Sequence, residues 1–295
     1  MDLRDLEILV ALAEHRHFAR AADACGLSQP ALSARIRKLE TDLDIPIVTR
    51  GNRFQGFTPE GEVALKWARR LLADRAGLLQ EVADAHQTVS GTLTLGVIPT
   101  ALPAVAALTA PFADAHPGVS ILILSRSSIE IQRGLDGFAI DAGITYLRNE
   151  PLTHVRTASL YQERYVLVAA PELVADGLSA ITWSDAARLP LCLMTADMQN
   201  RRIIDSLFGL AGAAPRPQVV SNSFVAIVGH VRTGRYASVL PVNQARFLGA
   251  DDLLVLPLTD PDAVHEIGLA IPDREPILPL VKRFWDAVTS RDEPR

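Results

Sequence analysis

Hydrophobic spacing divides the chain into two parts. Over the first 90 residues the apolar positions recur at the three- and four-residue intervals of amphipathic helices. The first such helix spans residues 3–14, and its apolar positions are Leu3, Leu6, Leu9, Val10 and Ala13. An alanine-rich second helix follows at 18–25 and ends at Gly26, a residue type favoured just past a helix C-terminus. The pattern predicts a compact helical unit at the N-terminus.

The third predicted helix, at about 28–42, has two unlike sides. It begins at Ser28, a good N-cap, with Pro30 in the first turn, where a missing N–H costs nothing. At about 100° per residue, one side collects the apolar residues Leu32, Ile36, Leu39 and Leu43. The opposite side carries small, polar and basic residues, namely Pro30, Ala34, Arg37 and Thr41, flanked by Ser33 and Lys38.

Helix, short helix, glycine turn and helix is the order of a helix-turn-helix unit, whose second helix enters the major groove of DNA. Gln29 has the geometry to pair with adenine, Ser33 reaches any base, and Ala34 offers a methyl group to thymine. Arg37 and Lys38 suit guanine or phosphate. The alternative is a solvated helix face with ordinary charges.

The stretch RGNRFQGF (50–57) predicts a hairpin that follows the third helix as a wing. Arg50 and Arg53 at its tip suit the DNA backbone or the minor groove, and the alternative is a plain surface turn. The complete set of predicted DNA contacts is Gln29, Pro30, Ser33, Ala34, Arg37, Lys38, Arg50 and Arg53.

Thr58 and Pro59 open a long helix that the pattern extends to residue 88. Its apolar positions repeat every seven residues at Ala64, Leu71, Leu78 and Ala85, with Leu65, Leu72 and Leu79 beside them. A helix of this length with one apolar stripe needs a partner, so a dimer seam is predicted, with packing on its own C-terminal domain as the alternative. The predicted units are therefore residues 1–58, 59–90 and 91–295.

From residue 92 the period changes. Strands are predicted at 92–97, 119–124, 165–170, 191–194, 236–240 and 265–271. Helices are predicted at 101–115, 128–136, 198–210, 224–234 and 277–290. This alternation favours α/β units on parallel sheets, divided into lobe I (about 91–162 and 266–295) and lobe II (about 163–265) with a ligand crevice between them.

The composition limits the class of protein and the cellular compartment to be expected. Apolar residues make up 48% and charged residues 21%, the net charge is −5, and the apolar runs are too short to span a bilayer. Residues 1–58 hold eight basic and eight acidic side chains, so a nucleic-acid surface has to be a local patch. The N-terminus resembles no export signal, and Cys25 and Cys192 form no metal-type spacing with the seven histidines. These observations predict a cytoplasmic protein with no metal and no cofactor.

The stretches FARAADACGLSQPALSARIRKLE, IPIVTR and TPEG closely resemble the N-terminal winged helix of LysR-type transcriptional regulators. The linker helix, GTLTLGVIPT and HPGV extend the resemblance weakly over the rest of the chain. The resemblance implies a cytoplasmic regulator that dimerises through the linker helix and usually acts as a tetramer, with RNA polymerase as a candidate partner. Its C-terminal part would resemble a periplasmic-type solute-binding fold that senses a small inducer. Ala34 and the pair Ile47–Val48 depart from the commonest family pattern.

In such a fold the inducer lies at strand C-termini and helix N-termini. Polar residues at those places are Thr100, Ser127, Ser128 and Thr145 in lobe I, and Gln199, Asn200, Asn222 and Ser223 in lobe II. Each of them has helix capping as its ordinary alternative role. Arg148, Arg201 and Arg202 are candidate counter-charges, which makes a small carboxylate one hypothesis for the inducer.

The alternative function is a small-molecule carrier or an enzyme whose helix-turn-helix is a protein-interaction module. The sequence contains no G-x-S-x-G, no P-loop and no G-x-G-x-x-G, and its histidines are scattered. Cys192 is the only cysteine after residue 91, so we predict an inert core residue rather than an oxidant sensor.

Overall fold

The computed structural model describes residues 1–49, 54–84, 89–247, 249 and 252–290. Its N-terminal helices are α1 (Leu3–His15), α2 (Phe18–Ala24) and α3 (Gln29–Leu43). Each bound lies within one residue of the prediction because capping residues mark it. Ser28 Oγ accepts a hydrogen bond from Ala31 N at 3.4 Å, and Gly26 has a φ of +66°, which glycine adopts without strain.

The apolar sides of α1, α2 and α3 meet in one core. Leu9, Ala21, Leu32 and Leu39 are fully buried there. Leu43, predicted on the buried side of α3, is instead 37% exposed. It is the last residue of the helix, and its side chain lines an open apolar groove beside the next helix rather than the core.

The linker helix α4 (Pro59–Asp84) begins at the predicted cap, since Thr58 Oγ1 accepts a hydrogen bond from Gly61 N at 2.9 Å. At Gly61 an added Cβ would lie 2.1 Å from the carbonyl oxygen of Ile47, so only glycine allows this close packing. The continuation of the helix over residues 85–88 lies outside the described residues.

The base of the predicted wing is present as an antiparallel bridge between Val48 and Phe57. Thr49 N also donates a hydrogen bond to the Gly56 carbonyl at 3.0 Å. Arg50 and Arg53, at the tip, lie outside the described residues.

The C-terminal part is a two-lobed α/β fold. Its strands are β1 (Gly91–Val97), β2 (Val119–Ser125), β3 (Ala142–Tyr146), β4 (Val155–Ala169), β5 (Ile181–Thr182), β6 (Cys192–Met194), β7 (Val219–Ser221), β8 (Ser238–Pro241), β9 (Leu254–Thr259) and β10 (Val264–Pro272). Its helices are α5 (Leu102–Ala115), α6 (Ser128–Asp136), α7 (Trp183–Ala186), α8 (Gln199–Leu210), α9 (Phe224–Val231), α10 (Val242–Phe247) and α11 (Pro279–Thr289). The predicted strands and long helices are all present, whereas the short elements β5, β7, β9, α7 and α10 were not predicted.

The prediction of parallel sheets is wrong for part of the fold. The strand order is β2-β1-β3-β10-β4-β9-β5, with β8 also paired to β4 and β6 paired to β7. β1 runs parallel to β2 and β3, but β10 is antiparallel to β3 and β4, and β4 is antiparallel to β8 and β9. The reason is topological: β4 carries the chain out of lobe I into lobe II, and β9 and β10 return beside it in the opposite direction.

β4 is therefore much longer than the predicted strand at 165–170. Its residues 155–164 pair with β10 in lobe I, and its residues 165–169 pair with β8 and β9 in lobe II. The polar residues in its first half hid this extension from the hydrophobic pattern. None of the helices among the described residues is both long and apolar enough to span a membrane.

Candidate nucleic-acid interface and interlobe cavity

The outer face of α3 is open to solvent. Gln29, Pro30, Ala34 and Arg37 are exposed, and Ser33 is half-buried beside them. Within the described part of the chain, the Arg37 guanidinium has no hydrogen bond or ion pair. The face therefore offers a methyl group, an amide and a free cation to an approaching surface.

Arg35 and Lys38 are held by acidic residues of the N-terminal unit. The carboxylate of Asp5 in α1 is fully buried, and Arg35 Nη1 donates to its Oδ1 at 2.8 Å. Lys38 Nζ lies 2.8 Å from Asp42 and 3.7 Å from Asp5. The hydrogen bond from Lys38 is the main cause that lowers the pKa of Asp42 to about 2. Of the predicted DNA contacts on α3, Lys38 is thus already engaged within the protein.

Glu40 links α3 to the strand that leads into the wing. Its Oε1 accepts hydrogen bonds from Ile47 N at 2.8 Å and from Val48 N at 3.2 Å. A substitution at Glu40 would leave two backbone donors unpaired at the start of the hairpin.

α4 presents an apolar stripe to solvent. Its exposed members are Val63, Trp67, Leu71, Leu78 and Val82. Leu65 and Ala68 of the same helix are buried against the N-terminal unit, and Val63, Trp67 and Leu71 border an open groove beside it. Gly77 packs on Leu278, because an added Cβ would lie 2.8 Å from that side chain. Part of the helix thus contacts its own C-terminal domain, as the alternative prediction had it, while the stripe is left for another surface.

Five predicted effector residues line one cavity between the lobes, and all five are buried: Thr100, Ser127, Ser128, Gln199 and Asn200. The rest of the lining, which was not predicted from the sequence, consists of Tyr146 and the apolar residues Ile98, Pro99, Met194, Met198 and Phe224. The volume open to the centre of a water-sized sphere is about 10 Å³, which is room for about one water molecule. The cavity is therefore nearly closed in this structure.

The other three predicted residues lie elsewhere. Asn222 and Ser223 are exposed and line a neighbouring open cavity of about 330 Å³, which shares Pro99 and Phe224 with the first. Thr145 is fully buried inside β3 and is not part of either lining. The prediction that Thr145 lies beyond the end of its strand is wrong, because β3 continues to Tyr146.

A buried polar network lies behind the cavity. Asn200 Nδ2 donates to the hydroxyls of Tyr146 at 3.3 Å and of Tyr165 at 3.2 Å. The Tyr146 hydroxyl in turn donates to Glu163 Oε1 at 2.5 Å. Burial raises the pKa of the Glu163 carboxyl to about 7, and the hydrogen bond from Tyr146 opposes this rise. His265 packs against both tyrosine rings, and burial lowers its pKa.

The candidate counter-charges at the cavity rim are paired with acidic residues. Arg202 forms hydrogen bonds of 2.5 Å with both oxygens of Glu150, and this pair joins α8 of lobe II to lobe I. Arg201 is bonded to Asp205 at 2.8 Å, and Arg148 to Glu266 at 3.0 Å. None of these guanidinium groups is left as a free cation for a carboxylate.

Cys192 is fully buried in β6, and its Sγ lies 3.6 Å from the Ile227 carbonyl. Burial raises the pKa of the thiol to about 11, so very little thiolate is present at neutral pH. The geometry is that of a core residue.

Comparison with known proteins decides the family. A model described as "Bacterial regulatory helix-turn-helix protein, lysR family" matches residues 3–62, and the "LysR substrate binding domain" model matches residues 86–293. The chain belongs to the LysR family. This LysR-family chain is a DNA-binding transcriptional regulator with a C-terminal domain that responds to an effector.

Individual relatives cover almost the whole LysR-family chain. The DNA-binding transcriptional dual regulator OxyR of Escherichia coli is 30% identical over an alignment of 298 positions, which covers 99% of this chain and 96% of OxyR. A full-length OxyR variant from Pseudomonas aeruginosa superposes with a TM-score of 0.74 at 24% identity, covering 98% and 94% of the two chains. Full-length CbnR, solved in complex with its target DNA, superposes with a TM-score of 0.70 at 21% identity, covering 98% and 99%.

Proposed function

We propose that this regulator recognises promoter half-sites in double-stranded DNA with the outer face of α3. The observation that carries the proposal is the exposed set Gln29, Pro30, Ala34 and Arg37, which projects from a helix fixed rigidly to α1 by Arg35 and Asp5. Ser33 and Lys38 flank this set. Arg50 and Arg53 on the wing complete the proposed DNA contacts.

A second copy of the chain pairs along the exposed stripe of α4, and two such dimers form a tetramer. The functional units are residues 1–58 for DNA binding, 59–90 for dimerisation and 91–295 for effector binding. A palindromic operator then follows, because two-fold symmetry in the protein requires half-sites related by the same two-fold axis. RNA polymerase is the partner through which promoter binding would change transcription.

The effector is a small molecule held between the lobes by Thr100, Ser127, Ser128, Gln199 and Asn200, which line the interlobe cavity. Thr145, Asn222 and Ser223 are secondary candidates because they lie outside that lining. The regulator acts in the cytoplasm, needs no cofactor and carries out no catalysis, since the family to which it belongs is one of transcriptional regulators.

The test is a pull-down of genomic fragments from the source organism with the full-length chain, followed by footprinting of the enriched fragments. We expect a protected, interrupted palindrome whose half-sites lie one or more helical turns apart. Affinity should fall steeply with salt, because contacts to phosphates release counterions. No enrichment over random DNA at moderate salt, or a flat salt dependence, would overturn the proposal.

A further inference from the structure

The interlobe cavity is lined by side chains whose free hydrogen-bonding atoms are acceptors, and Gln199 is the first of them. This side chain is 3% exposed, and its Nε2 donates to the Arg148 backbone carbonyl at 3.3 Å. A carbonyl oxygen only accepts hydrogen bonds, so the orientation of the amide is fixed. Gln199 Oε1 is buried and accepts no hydrogen bond from any of the described residues.

Asn200 is oriented in the same sense by the network behind it. The hydrogen of the Tyr146 hydroxyl is used in the bond to Glu163, so the tyrosine oxygen is left to accept from Asn200 Nδ2. The Tyr165 hydroxyl accepts a second bond from Nδ2. Asn200 is 5% exposed, and its Oδ1 is likewise without a donor among the described residues.

Two groups that could receive a carboxylate, the N-terminus of α6 and Arg202, are occupied. At the N-terminus of α6, the Ser127 N–H donates to Glu130 Oε2 at 2.8 Å, so an acidic side chain of the protein already sits there. Arg202, which approaches Ser128 Oγ at 3.5 Å, is neutralised by Glu150. The lining thus presents two amide oxygens and several hydroxyls, with no free positive charge on Arg148, Arg201 or Arg202.

We propose that the effector is a neutral or cationic small molecule that donates hydrogen bonds from N–H or O–H groups to both Gln199 Oε1 and Asn200 Oδ1. Thr100 Oγ1, which is buried and unpartnered among the described residues, is placed to bond the same molecule. This inference rests on the proposed function, because it names the ligand class of the same cavity. It replaces the carboxylate hypothesis drawn from the sequence.

Buried acceptors select against ligands that cannot satisfy them, because an unpaired polar group loses its bonds to water and gains nothing in return. A carboxylate brings only acceptors and a negative charge to these two oxygens. A primary amide, an amine or a vicinal diol brings the donors that are missing. The cavity is nearly closed, so the ligand is compact or the lobes separate to admit it.

The experiment uses the full-length chain and matched pairs of small metabolites, each carboxylic acid beside its amide or alcohol, such as nicotinate with nicotinamide and glycerate with glycerol. Thermal unfolding identifies the members that raise Tm, and calorimetry measures Kd for those. We expect stabilisation by donor members only. Gln199→Met and Asn200→Leu should each raise that Kd at least tenfold, whereas Leu210→Ala, at the exposed C-terminal end of the same helix, should leave it unchanged.

Thr100→Val covers the case in which the variants at Gln199 and Asn200 fail to fold, since it removes a buried hydroxyl that has no partner among the described residues and should still raise the Kd of the donor member. Stabilisation by the acids with no effect of their amides or alcohols would overturn the inference and leave the proposed function intact. If no member of any pair stabilises the chain, the inference is also overturned, and effector binding in this cavity falls with it. Operator footprinting tests the DNA-binding proposal independently of all these outcomes.

Discussion

Arg35 and Arg37 lie two positions apart on α3 and have different structural surroundings. Arg35 turns toward α1, where it pairs with the buried Asp5, whereas Arg37 extends into solvent without a partner among the described residues. Arg35 holds the helix in position, whereas Arg37 is free to contact DNA. This difference makes them a matched pair for mutagenesis.

Replacing Arg37 by alanine should weaken binding to the operator by about 1–3 kcal/mol if the side chain contacts a base, and should relax sequence preference at one position. Tm of the protein should not change, because the side chain makes no contact that holds the fold. Arg35→Ala is the comparison: it leaves the Asp5 carboxylate short of its closest partner and should lower Tm. Fluorescence anisotropy on operator variants, with thermal melts of both proteins, checks the prediction. Equal losses of Tm would contradict it.

The Glu163 carboxyl has an ordinary pKa of 4.5, and burial raises it to about 7 in the folded protein. The folded chain therefore keeps this proton up to a higher pH than the unfolded chain does. The protonated form stabilises the fold, and this contribution is lost as pH rises from about 4.5 to about 7. Relative to Glu163→Gln, the wild-type chain should lose on the order of 3 kcal/mol of unfolding free energy over this window.

Denaturant unfolding of both chains at several pH values from 4.5 to 8 measures the difference directly, and all other titrating groups cancel between them. Parallel curves for the two chains would show that Glu163 titrates normally. A difference that grows in the opposite direction would show that the folded state holds the carboxylate better than water does.

At the residue scale, a local rule was enough to select some of the residues that line the interlobe cavity. Thr100, Ser127 and Ser128 follow strands and open helices, and these positions alone placed them in the cavity. Tyr146 and Glu163 were missed because each lies within a strand. The sequence of a strand indicates which of its residues share a face of the sheet, but not which residues of other strands they contact. Their contact at 2.5 Å depends on β10, which lies between their two strands and is more than 100 residues away in sequence.

Among the elements, α4 has two faces with different partners. Leu65 and Ala68 pack on the N-terminal unit, while Leu71, Leu78 and Val82 remain exposed as part of the stripe. The predicted seven-residue repeat contained residues of both faces. Ala64 begins one series of apolar positions and Leu65, the next residue, begins the other. Only the packing of the N-terminal unit separates the two series.

Leu78 is 61% exposed, so replacing it by glutamate should not disturb the protomer. In a dimer joined along the stripe, the same substitution places a charge in an apolar seam and should shift the chain to monomer. Sedimentation velocity at several concentrations measures the change. Glu62→Gln, at an exposed position on the side of the helix away from Leu78, is the control and should leave the oligomer intact. A dimeric Leu78→Glu chain would locate the seam elsewhere.

At the scale of the whole molecule, the number and position of the cysteines limit how the chain can respond to oxidants. The C-terminal domain contains one cysteine, Cys192, so no disulfide can form within it. Its buried position and a thiol pKa of about 11 disfavour attack on peroxide as well.

We therefore expect peroxide treatment to leave operator affinity unchanged, and Cys192→Ser to behave as the wild-type chain does. Electrophoretic mobility shifts with and without peroxide, on both proteins, check this expectation. A change of affinity in the wild-type chain that is absent from the Cys192→Ser variant would identify an oxidant sensor.

Much of the overall architecture follows from the sequence, because periodicity and capping locate elements one at a time. Strand direction does not follow in the same way. The alternation of strands and helices predicted parallel sheets, but β4 and β10 connect the lobes and pair antiparallel with all of their neighbouring strands. Contacts between segments that are distant in sequence decide which strand passes from one lobe to the other. The local spacing of hydrophobic residues does not indicate these contacts.

β4 joins the two lobes as one continuous strand, and this has a mechanical consequence. Glu163 belongs to the part that pairs with β10, and Tyr165, two residues later, belongs to the part that pairs with β8. Both side chains are in the network that orients Asn200 toward the ligand. A rotation of one lobe against the other would bend the strand between these partners, so it would also move the side chains that orient Asn200.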